Sequence, residues 1–107
     1  MKAEKIFYLQ VLLGVVMIMA VSCTKKGGDT SALYSPTAAD VTASATLEDL
    51  QQGRALYIEN CNACHQLYSP DNYNPSQWRS ILGNMSSRAG LSSAQAQLVT
   101  KYVTRGN

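Results

Sequence analysis

The chain has 107 residues, nine Lys and Arg against seven Asp and Glu, a formal charge of +2, three cysteines and a single histidine. A balance this close to neutrality, with no basic run, argues against nucleic-acid binding, which needs a cationic patch. Three cysteines leave one unpaired in any disulfide framework, so each calls for another use.

Lys2 and Lys5 form a short positive region, and Ile6 to Val21 is apolar apart from Gln10 and Gly14, closing on Ala20-Val21-Ser22-Cys23. This is the layout of an export signal. A small residue directly before a cysteine resembles the lipobox of bacterial lipoproteins, although Ala20 stands where Leu is usual. The resemblance implies that residues 1–22 are a signal peptide and that Cys23 is lipidated and becomes the mature N-terminus. The folded part then lies on the periplasmic side of a bacterial membrane, held by a lipid anchor. An uncleaved anchor, for which residues 6–21 fall short of the roughly 20 that a comfortable span needs, and simple secretion are the alternatives. The mature chain keeps seven basic and six acidic side chains.

From Lys25 to about Ala45 the chain is rich in Ser, Thr, Gly, Ala and Asp. Such a composition buries too little apolar surface to order itself, so residues 23–45 are expected to be a flexible tether. Some twenty residues of this kind reach on the order of 25 Å. Tyr34 is then an incidental aromatic. A surface helix over 37–45, started by Pro36, is the other reading.

Residues 46–107 remain as the folded domain. At roughly 60 residues it is too small to rely on a side-chain core alone and needs a staple. Its first helix is capped by Thr46, with Asp49 three positions on, and runs to about Asn60. Cys61-Asn-Ala-Cys64-His65 follows at its end. This is the spacing that attaches haem covalently in c-type cytochromes. At helical spacing the three positions are i, i+3 and i+4, so two thiols and an imidazole share one face. The thiols suit the two vinyl groups of a porphyrin, and His65 suits its iron. A thioredoxin-type redox pair would need a preceding strand in an α/β chain, and no strand pattern is present. A closed zinc site would need four ligands; beyond the cluster only Cys23 is left, and there is no second histidine.

Asn74, Pro75 and Gln77 open a second helix in which Trp78, Ile81, Leu82 and Met85 make one apolar stripe. Ser92 and Gln95 open a third, with Leu98, Val99, Tyr102 and Val103 as its inner face. With Met1, Met17 and Met19 lost in the signal peptide, Met85 is the one methionine left to complete His/Met ligation of an iron, which raises the reduction potential. If Met85 is instead core filler, the iron is five-coordinate and open to small ligands.

Gly53 and Tyr57 before the haem cysteines, with Leu98 and Tyr102 in the last helix, resemble the crossing of terminal helices in cytochromes c. There a glycine admits the second helix and aromatic residues lock the contact. The resemblance covers residues 47–107. It implies an all-α, compact three-helix cytochrome c-like fold around one covalently attached haem c. Met85 follows His65 by only 20 residues, which is similar to short bacterial haem modules associated with dehydrogenases. In such a module a carbonyl near Pro70 would take the second ring proton of His65. Tyr68, Tyr73, Trp78 and Arg79 are the candidates to meet the haem propionates.

The function expected is single-electron transfer between exported redox proteins, a donor and an acceptor that the residues do not name. No enzyme is expected and no small-molecule substrate, because a sole histidine committed to iron leaves no nucleophile and base to pair. Ligand sensing and permanent residence in a dehydrogenase or oxidase complex are the alternatives.

Overall fold

Among the described residues, each of the three α-helices starts where a reciprocal cap satisfies its first free backbone N–H groups. In α1, Leu47–Cys61, the Thr46 hydroxyl accepts from the Asp49 amide at 3.1 Å while the Asp49 carboxylate accepts from the Thr46 amide at 3.1 Å. In α2, Pro75–Arg88, Asn74 and Gln77 exchange the same pair of bonds at 2.9 and 3.0 Å. In α3, Ser93–Val103, Ser92 and Gln95 do so at 3.2 and 2.9 Å. Removing one such cap costs about 1 kcal/mol. The computed structural model describes residues 29–107. The expected signal peptide, Cys23 and the start of the expected tether lie outside the described residues. Among the described residues there is no β-strand, only an isolated bridge between Thr42 and Ala45, and short 3₁₀ turns at Ala38–Asp40 and Pro70–Asn72. The fold of these residues is all-α, and none of their helices is long and apolar enough to cross a membrane.

α1 crosses α3 at Gly53. A β-carbon built on Gly53 would collide with the Leu98 carbonyl oxygen and lie 2.8 Å from the Tyr102 β-carbon, so only glycine admits this approach. Leu50 and Tyr57 from α1 and Val99, Tyr102 and Val103 from α3 are buried around the crossing, and α2 adds Trp78 and Leu82. On the outside, Lys101 in α3 bonds Asp49 in the first turn of α1 at 2.8 Å.

The chain expected to be a tether is packed onto this core from Leu33 onward. Leu33 and Ala45 are buried, and the Tyr34 ring stacks on Tyr102 with centroids 4.7 Å apart. The two tyrosines exchange bonds: each hydroxyl donates to the other's backbone carbonyl, at 2.8 and 3.0 Å. Arg54 donates to the Tyr34 carbonyl at 3.1 Å. Arg105 lies over the Tyr34 ring at 3.9 Å and forks onto the Asp71 carboxylate. Tyr34 is thus a clamp residue, not an incidental aromatic, because long-range contacts order a stretch that its own composition would leave loose. The alternative helix over 37–45 is reduced to the single turn Ala38–Asp40, with Asp40 accepting from the Thr37 amide and hydroxyl.

Gly53→Ala reverses the usual sign of a helical Gly→Ala change. The ordinary gain is up to about 1 kcal/mol, but overpacking at the crossing costs about 1–3 kcal/mol. Gly83, also inside a helix, has nothing within 4 Å of a built β-carbon, so Gly83→Ala is expected to stabilise. Denaturant titration of both variants reads the contrast.

Burial pushes the Tyr34 and Tyr102 phenols up from the usual 10 to about 12. The fold therefore holds two protons that the unfolded chain releases more readily. The resulting stabilisation is present in full below about pH 10 and is lost as pH rises from about 10 to about 12. Tyr34→Phe should flatten part of that fall in a series of denaturation midpoints against pH.

Candidate functional site

α1 ends at Cys61, and its chain continues through turns that carry Cys64 and His65. The three motif residues are therefore not all on one helix face as the spacing alone suggested. They nevertheless line one cavity of about 470 Å³. Tyr57, Asn60 and Cys61 from α1 form one side of it; Trp78, Ile81, Leu82, Met85 and Arg88 from α2 form another, with Ala89 following; Tyr68 and Tyr73 from the intervening loop complete it. The lining is predominantly apolar and contains no carboxylate.

Aromatic contacts and two hydrogen bonds set this shape. The Tyr57 hydroxyl donates to the Tyr68 carbonyl at 2.8 Å and accepts from the Tyr68 amide at 3.2 Å, pinning the loop to α1 through one side chain. The buried Trp78 indole donates to the Pro70 carbonyl at 2.8 Å, pinning the same loop to α2. Trp78 meets Tyr57 and Tyr73 edge-on at centroid distances of 6.1 and 5.1 Å. Tyr68 packs on Tyr73 at 5.8 Å and on His65 at 5.6 Å. Such edge contacts add about 0.5–1.5 kcal/mol each beyond the area they bury.

His65 Nδ1 stands 2.7 Å from the Gln66 carbonyl. A carbonyl only accepts, so the proton of the neutral ring belongs on Nδ1, and Nε2 keeps its lone pair for a ligand. Burial, and secondarily the neighbouring Cys64, pushes the Cys61 thiol up. Cys61 is half-buried, Cys64 is exposed, and no disulfide joins them. Met85 and Tyr68 are 37% and 38% exposed. Among the described residues no group of three or more His, Cys, Asp or Glu is arranged to hold a metal ion.

Two expected residues have other partners. The Pro70 carbonyl accepts from Trp78, and it is the Gln66 carbonyl that faces His65. Arg79 is absent from the cavity lining and donates to the Asn107 carbonyl at the C-terminus. Arg88, by contrast, lines the cavity without having been singled out. A signal for it existed: it stands three positions after Met85 and extends the stripe that begins at Trp78.

Comparison with family models, with curated proteins and with solved structures finds no match to the chain.

Tyr57→Phe removes both bonds to Tyr68 and leaves that amide without its partner. The loss expected is about 1–3 kcal/mol, together with faster hydrogen exchange of the Tyr68 amide. Unchanged exchange there would mean that the loop is held by packing alone.

Proposed function

We propose that the chain is an exported, lipid-anchored protein that carries one covalent haem c and passes single electrons between redox proteins. The observation that carries the reading is that Cys61, Cys64, His65 and Met85, two thiols and two iron-ligand types, line the same apolar cavity. The donor set fits the group in kind. The thiols would hold the macrocycle, His65 would offer Nε2 to the iron while Gln66 keeps the proton on Nδ1, and Met85 would offer a thioether from α2. Haem supplies the one-electron redox chemistry when bound. The chain's own work is to attach, orient and shield. Trp78, Tyr57, Ile81 and Leu82 give the cavity an apolar wall, and the bonds to Tyr68 and Pro70 fix the loop between motif and methionine. Side chains left exposed at the cavity, Met85 and Tyr68, are those that a large apolar plate would cover.

Signal peptide, Cys23 lipidation and periplasmic residence belong to the same proposal, supported by the layout of residues 1–23. A free tether reaching residue 45 does not, because Leu33 and Ala45 are buried against the domain.

Expression with a c-type maturation system should yield a protein whose intact mass exceeds that of the processed, lipidated chain by one haem, resistant to acid extraction. Cys61→Ala or Cys64→Ala should make the haem extractable at the affected position and leave a poorly cooperative fold, since the staple is lost. Met85→Ala should keep the haem, lower its potential and open the iron to carbon monoxide. A wild type that matures without added mass overturns the proposal.

A further inference from the structure

We infer that Arg88 is the residue that meets the carboxylate side chains of the bound haem, in the place where the sequence pointed to Arg79; the inference rests on the haem reading above. The cavity lining contains no Asp or Glu, and Arg88 is its one permanently charged side chain. Among the described residues Arg88 makes neither an ion pair nor a side-chain hydrogen bond, whereas Arg105 and Lys101 are paired with carboxylates and Arg79 is turned to the Asn107 carbonyl. An apolar cavity with one uncompensated guanidinium suits a ligand that is mostly apolar but anionic at one edge. Guanidinium and carboxylate match in charge and in their paired donors and acceptors, and Arg88 is exposed, so the contact would form at the open edge of the cavity. Arg88 also stands one turn beyond Met85 on α2, so a charge placed there acts on the same centre as the thioether. The bland role for a basic residue in the last helical turn is to offset the helix dipole. That role needs no contact with the haem carboxylates and leaves their bands unmoved.

The haem-loaded protein and three variants, R88Q, R88K and R79Q, separate the two by reduction potential and by redox-difference infrared spectra of the haem carboxylates. Removing a cation near the centre disfavours the reduced state, so R88Q should lower the potential and shift the carboxylate bands. R88K should recover most of the potential, and R79Q should change neither. Wild-type potential and bands in R88Q, or a drop in thermal stability alone, would overturn the inference and reduce Arg88 to a helix-end charge. Equal shifts in R79Q and R88Q would overturn it as well. A wild-type protein with no covalent haem overturns the haem reading itself, a result distinct from any of these.

Discussion

The apolar cavity between α1 and α2 measures about 470 Å³, and a domain of this size has little stability to set against it. At about 24 cal/mol per Å³ a closed void of that volume would cost on the order of 10 kcal/mol, which is comparable with the whole stability of a small domain at about 5–15 kcal/mol. The cavity is accordingly open, with Met85 and Tyr68 exposed at it. The loop beside it is nonetheless pinned at two points. Tyr57 and Trp78, both buried, hold the loop by hydrogen bonds to Tyr68 and Pro70, so the walls are built before any occupant is considered.

That rigidity originates at the crossing of α1 and α3. Gly53 lets the two backbones approach, which sets Tyr57 one turn further along α1, with its ring 5.9 Å from that of Tyr102 and 6.1 Å from that of Trp78. From the other side of Tyr102, the segment beginning at Leu33 closes the core with the Tyr34 stack. Arg105 then joins Tyr34 to Asp71, which belongs to the same turn as Pro70. N-terminal segment, C-terminus and cavity loop are therefore tied through one guanidinium. A surface ion pair is worth little by itself; here it is bidentate and sits on an aromatic face, so the three segments it joins are ordered together.

The caps were legible because donor and acceptor lie three residues apart: Thr46 with Asp49, Asn74 with Gln77, and Ser92 with Gln95 all read directly off the chain. The stripe from Trp78 to Met85 was legible for the same reason of local period, and so was the role of Gly53 through its spacing to Tyr57. Tyr34 was not, since its partner Tyr102 is 68 residues away and its neighbours have the composition of a loose segment. Arg79, one helical position after Trp78, lies outside the cavity lining and donates to the Asn107 carbonyl, a side-chain direction that spacing leaves open, whereas Arg88 continues the stripe into the lining. The path of the chain after Cys61, where the helix stops and Cys64 and His65 follow in turns, depends on the loop bonds to Tyr57 and Trp78 and is invisible to spacing alone.

If the chain carries haem as proposed, His65 would offer a ring nitrogen and Met85 a thioether to one iron. X-ray absorption at the iron edge of the exported protein reads both ligands at once. One iron per chain with a single sulfur ligand among nitrogens is expected, with that sulfur contribution lost in Met85→Ala. Iron coordinated without sulfur in the wild type, or no iron at all, would contradict the proposal.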